Sequence, residues 1–119
     1  MTLPQEAMLL RIFLGERDRH DGQPLYEAIV AKARELRLAG ATVLRGPMGY
    51  GHNAHLHRAS LLDISEDLPI VIEIVESEAN VDRLLPELEK LMGSGLVTLA
   101  KVRVIRYGDG RGGAGSDSE

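Results

Sequence analysis

The segment Pro69–Glu76, PIVIEIVE, is apolar at both of its alternating sets of positions: Ile70, Ile72 and Ile74 in one, Val71 and Val75 in the other. It is too short for a typical helix, and its β-branched side chains favour extended backbone, so it reads as a strand. Successive side chains of a strand point to opposite faces of its sheet. Both faces of this strand therefore need a cover. Helices from the same chain can supply one, and the other has to come from somewhere else.

The remaining chain supplies the elements in a simple order. Ala7–Leu14 (AMLLRIFL) is apolar apart from Arg11 and reads as a first strand. A polar connection, GERDRHDGQ, carries His20 and leads to Pro24, which suits the first turn of a helix because its missing N–H costs nothing there. Leu25, Ile29, Ala33 and Leu36 then recur at helical spacing, and Gly40 is the expected stop. Ala41–Gly46 is β-prone and runs into a glycine-rich segment, and Ala59–Ile64 reads as a short strand. After Pro69–Glu76, Asn80 is the expected N-cap of a second helix whose stripe is Val81, Leu84, Leu85, Leu88, Leu91 and Met92. Pro86 should kink or locally unwind that helix, and Gly93–Gly95 should end it. The last strand lies within Leu96–Tyr107 and is clearest from Lys101 onward. This order predicts an α+β fold, a ferredoxin-like βαββαβ sandwich. Its antiparallel sheet carries two helices on one face and an extra short strand after the second strand. Residues 1–107 form its single domain, and residues 108–119, with no apolar side chain larger than alanine, form a disordered tail.

Strand alternation makes the question of the second cover specific. If Met8, Leu10, Ile12, Ile70, Ile72, Ile74, Val102 and Val104 face the helices, then Leu9, Arg11, Phe13, Val71, Glu73, Val75, Arg103 and Ile105 lie on the other face. That second set is mainly apolar, and a lone chain would expose it as a large patch. Self-association is the simplest cover, with Arg11, Glu73 and Arg103 pairing inside the interface. Composition narrows the partners further. A net charge of −4, one Phe and no Trp argue against nucleic acid. The absence of cysteine excludes disulfides, thiolate ligands and a Cys nucleophile. The N-terminus lacks a signal-peptide pattern, and no segment approaches the roughly 20 apolar residues of a membrane span. The expectation is a soluble, cytoplasmic protein without membrane insertion.

Chemistry-bearing residues concentrate in Gly46–Ser60, GPMGYGHNAHLHRAS. Its glycines suit close backbone approach to a phosphate, and they equally suit a plain turn. His52, His55 and His57 are able to bind Zn²⁺ or Cu²⁺ if Asp63, Glu66 or another subunit completes the ligand set. Arg45 and Arg58 flank the segment and can meet an anion, or simply pair with Asp63 or Glu66. Arg17 and Arg19, in the charge run after the first strand, can line an intersubunit cleft or stand in a solvated loop. The exposed, glycine-bearing stretch Tyr50–His55 is expected to be the most mobile internal part. Catalysis has little to work with: no nucleophile elbow is present, and Glu66 and Asp67 adjoin in a turn rather than converge. The chain is not expected to be an enzyme.

The pieces PLYEAIV, LAGATVLRG, GYG, EDLPIVIEIV and LPELEKLMGSGLVTLAKVRVIR together resemble the DUF190 family, a relative of the PII-like proteins of the GlnB-like superfamily. The resemblance runs from about Met8 to Arg106 and implies a homotrimer whose sheets face inward, with nucleotide held in clefts between subunits. It places Gly49–Gly51 at the base of a partner-contacting loop and Arg106 at a phosphate-contacting position on the last strand. The chain departs from the PII pattern at Gly108, where the next binding arginine would stand, and at GSG, a shortened loop without its lysine. The function this implies is a regulatory sensor of a small anionic metabolite, an adenine nucleotide among the candidates. Arg45, Gly46, Gly49, Tyr50, Gly51, Arg58 and Arg106 are its contacts, and a regulated partner protein reads the loop. The alternatives are a metal-binding trimer of CutA type using His52, His55 and His57, and a non-catalytic interaction scaffold.

Overall fold

The computed structural model describes residues 3–51, 56–58 and 67–108. Strands β1 (Glu6–Gly15), β4 (Thr42–Arg45), β7 (Pro69–Glu76) and β8 (Leu96–Arg103) form an antiparallel sheet in the order β4-β7-β1-β8. Helices α1 (Leu25–Glu35) and α2 (Glu78–Leu91) pack on one face. Two short ribbons complete the elements, β2 (Arg19–His20) with β3 (Gln23–Pro24), and β5 (Met48–Gly49) with β6 (His57–Arg58). The extra strand expected over Ala59–Ile64 and the tail 109–119 lie outside the described residues.

The apolar alternation of β1 and β7 builds the core. Leu10 lies opposite Ile74, Ile12 opposite Ile72 and Leu14 opposite Ile70. These six side chains meet Leu25, Ile29 and Ala33 of α1 and Leu84 and Leu88 of α2. Full burial of each large aliphatic side chain contributes about 1.5–3 kcal/mol, so this two-strand, two-helix contact dominates stability. One charged group sits among them. Glu76, 1% exposed, accepts hydrogen bonds from the backbone N–H of Ala39 (2.6 Å) and of Ser77 (2.8 Å) and from Asn80 Nδ2 (3.1 Å). Its carboxylate joins the turn after α1 to the start of α2.

The helix ends differ from the expectations. Ser77, not Asn80, caps α2, its Oγ accepting from the Asn80 N–H at 3.2 Å, while the Asn80 side chain turns to Glu76. The helix remains continuous through Pro86, without local unwinding. Helix α1 ends at Glu35 with Leu36 as its C-cap, well before Gly40. Arg37 adopts φ 64°, its N–H reaches Arg34 O (3.0 Å), and the Leu38 N–H reaches Ala33 O (3.0 Å). This is the Schellman pattern, closed by the buried contact between Leu38 and Ala33.

The face assignment of β8 also changes. Its pairing places Val97 opposite Ile12 and Leu99 opposite Leu10, so Val97, Leu99, Lys101 and Arg103 share the helix side. Val102, opposite Ala7, lies on the other face. Arg103 therefore does not join Arg11 and Glu73; it stands across from Glu6. Because β8 is apolar at both parities, its sequence does not choose between registers one residue apart, and pairing with β1 decides. The face away from the helices carries Leu9, Phe13, Val71 and Val75 at its centre, with Leu44 and Leu96 (49% and 56% exposed) toward its edges. Arg11 and Glu73 face each other across β1 and β7 and pair at 2.9 Å, Nε to Oε2.

Candidate functional site

The glycine-rich segment begins where β4 leaves the sheet. The Gly46 N–H donates to Pro69 O at 2.8 Å, and Met48–Gly49 then pair with His57–Arg58 to close a ribbon over the end of β7. A Cβ at Gly46 or at Gly49 would stand 3.1 Å from Pro69 Cγ. Two of the glycines thus have a packing reason: they let the ribbon lie against the proline ring. Gly51 differs, because a Cβ there would meet none of the described residues within 4 Å. Tyr50 (72% exposed), Gly51 and Arg58 project from this ribbon into solvent.

Beneath the ribbon, the end of β1 gathers carboxylates and their donors. Asp18 Oδ2 accepts from the Gly15 N–H (3.0 Å), and Asp67 Oδ1 from the Arg17 N–H (2.8 Å). A Cβ on Gly15 would lie 2.8 Å from both Asp67 oxygens, so glycine is what permits this approach. Arg45, the last residue of β4, donates from an Nη to Glu16 Oε2 at 2.8 Å. Asp63 and Glu66, the partners expected for Arg45 or Arg58, lie outside the described residues; among the described residues Glu16 is the partner of Arg45. Arg19 opens the β2–β3 ribbon, whose turn is Asp21-Gly22 with φ 50° and 83°. Both residues are left-handed, as a two-residue hairpin turn of this kind requires. The Asp-Gly pair in GERDRHDGQ was the signal for it.

Arg106 lies elsewhere. β8 runs antiparallel to β1 with Arg103 opposite Glu6, whereas Arg45 and the Leu14 end of β1 flank Ile70. Arg106 follows the strand's end near Gln5, where the Val104 N–H reaches Gln5 O (2.7 Å) and the Tyr107 hydroxyl donates to Ala39 O (3.0 Å). With about 3.4 Å of rise per residue, the length of β1 separates Arg106 from Arg45 and the ribbon. Within one chain, Arg45, Gly46, Gly49, Tyr50, Gly51 and Arg58 cluster at one end of the sheet. Arg106 stands at the other.

For the histidine alternative, the backbone of His57 pairs with Gly49, while His52, His55, Asp63 and Glu66 lie outside the described residues. Among the described residues no group of three or more His, Asp or Glu is placed to hold a metal ion. Of the stretch expected to be most mobile, Tyr50 and Gly51 are exposed and the rest lies outside the described residues. No described helix is long and apolar enough to cross a membrane.

The chain is similar to known proteins in both sequence and fold. The model of the DUF190 family, described as an uncharacterized ACR, matches residues 7–104. A UPF0166 protein of Aquifex aeolicus (strain VF5) is 39% identical over 97 residues, spanning 82% of this chain and 91% of that relative. The sheet and helices superpose on CPII from Thiomonas intermedia K12, solved with ADP and bicarbonate, with a TM-score of 0.64 and 21% identity over 85% of this chain and 90% of CPII. The divalent cation tolerance protein Cut A1 of Thermus thermophilus shares the fold more distantly, with a TM-score of 0.54 and 13% identity over 87% of each chain.

Proposed function

Since the chain belongs to the DUF190 family, we propose that it is a PII-like regulatory protein, not an enzyme. In this reading it binds a small anionic metabolite of the adenine-nucleotide class between subunits of a homotrimer. The observation that carries this reading is the separation of the candidate contacts. Arg45 to Gly51 and Arg58 occupy one end of the sheet and Arg106 the other. Only a second copy of the chain can bring the two ends together. The apolar sheet face around Leu9, Phe13, Val71 and Val75 supplies a reason for copies to associate, because burying it removes a large patch from water. CPII, which shares the fold, has been solved with ADP and bicarbonate, and this supports the choice of ligand class.

The parts suit such a ligand. Arg106 offers a planar fork of donors to a phosphate, and Gly51 leaves room for a ligand to approach the backbone. The exposed Tyr50 ring offers a flat apolar surface to a base. Ligand held between the ribbon and a neighbour's Arg106 would order the ribbon and change the surface shown to a regulated partner.

A thermal-shift panel on protein of known oligomeric mass tests the reading. ADP at a hundred times its Kd should add about 2.7 kcal/mol of stability. Arg106→Ala should lose that gain, while a His55→Ala, His57→Ala double variant should retain it. A rise with Zn²⁺ or Cu²⁺ that the double variant abolishes, without any response to nucleotides, would replace the reading with metal binding. No response to either class would leave a scaffold.

A further inference from the structure

Three carboxylates converge on the end of β1, and they already occupy donors that an anion would use. Asp18 takes the Gly15 N–H and Asp67 takes the Arg17 N–H. Both are short side chains bonded to backbone and fixed by it. Glu16 is different. Its own N–H is tied to Leu68 O at 2.8 Å, so its backbone is anchored to the strand that enters β7. Its carboxylate reaches across on a longer, more flexible side chain to the Arg45 guanidinium, whose side chain is 59% exposed. Arg45 is the last residue of β4, three positions before the ribbon strand Met48–Gly49 begins.

We propose that Glu16 is an internal competitor for Arg45, a built-in carboxylate that an incoming anion must displace, and that it thereby sets the affinity of the site. This rests on the reading of Arg45 as an anion contact. The exchange has a direct consequence for the ribbon. With Glu16 engaged, Arg45 is held to β1; with an anion engaged, it is held to the ligand and the tether to β1 is released. The pair is partly exposed, and such pairs are weak enough to exchange readily.

The competing view is that Glu16 is a tether whose loss disorders the ribbon, and the two views predict opposite signs. ADP binding would be measured by calorimetry on wild type, Glu16→Gln, Arg45→Gln and the double variant, each checked for unchanged melting temperature and mass. The proposal expects Glu16→Gln to bind ADP about two- to five-fold more tightly, the scale of an exposed ion pair. It expects that gain to vanish in the Arg45→Gln background. Unchanged or weaker binding in Glu16→Gln would overturn it. A gain that persists without Arg45 would overturn it too, since it would report only the loss of one negative charge. Glu16→Ser guards against an effect peculiar to glutamine and should show the same gain. If wild type binds ADP and Glu16→Gln does not bind it better, the inference alone fails. If none of the four proteins binds ADP, the nucleotide reading falls and the inference falls with it.

Discussion

Single residues at the ends of elements carry strain and contacts that their neighbours do not. Arg37 closes α1 in the left-handed region at φ 64°, the position a Schellman motif usually gives to glycine. A side chain there is held against a steric cost of about 1 kcal/mol that glycine avoids. Arg37→Gly should therefore stabilise the fold by about 0.5–1 kcal/mol, read from the midpoint of urea unfolding at constant slope. A loss of stability would mean that the guanidinium makes a contact outweighing the strain. The glycines of the candidate site act in the opposite sense. Gly46 and Gly49 are short because Pro69 is close, whereas a Cβ at Gly51 would meet no described residue within 4 Å.

At the scale of elements, α2 is held at its start by two layers of polar contact. Ser77 Oγ accepts the Asn80 N–H, and Glu76 accepts from Ser77 and from the Asn80 side chain. Ser77→Ala should cost about 1 kcal/mol, the ordinary value of a lost N-cap. The same denaturation experiment on Asn80→Ala should show a loss as well, since one donor to the buried Glu76 disappears. If Ser77→Ala is neutral, Glu76 alone orients the helix start. The two helices are also bridged on their outer side, where Lys32 contacts Glu35 (3.0 Å) and Glu87 (3.9 Å). The hydrogen bond from Lys32 to Glu35, and then the charge of Glu35, hold its ammonium above the usual lysine value of 10.5. A raised lysine stabilises the fold fully below its unfolded value, and that contribution is lost as pH rises through the folded one. On the lysine's side the bridge is therefore intact at neutral pH and is lost in strongly alkaline solution.

The whole molecule presents a sheet covered by helices on one face and open on the other. Val75 lies beside Leu9 at the centre of that open face. With the chain assembled as proposed, light scattering should report a trimer, and Val75→Glu should dissociate or unfold it by burying an unpaired charge. Far-UV circular dichroism separates the two results. A wild-type monomer at micromolar concentration would remove the reason for placing a ligand between subunits. The Arg11–Glu73 pair sits within the same face, already matched inside one chain, so association would not strand either charge.

Much of the fold was legible in the residues themselves. β7 is observed with the bounds its β-branched run implies, and the helix stripes Leu25, Ile29, Ala33 and Val81, Leu84, Leu88 are buried as their spacing requires. The helices read clearly because one helical periodicity dominates each, and β7 because a short β-branched run leaves little alternative to a strand. Where two readings were equally good locally, tertiary structure chose. β8 is apolar at both parities, and only its pairing with β1 put Val97 and Leu99 on the helix side and Val102 on the other. Arg37 ends α1 ahead of Gly40 because the buried Leu38 must reach Ala33, a contact no propensity encodes. The candidate site shows the same division. Its residue types are plain in the sequence, but spacing along the chain carries no information about distance across a sheet. That Arg45 meets Glu16 and stands a strand's length from Arg106 was decided by the antiparallel order β4-β7-β1-β8, which sends the ends of β4 and β8 to opposite edges and opposite ends.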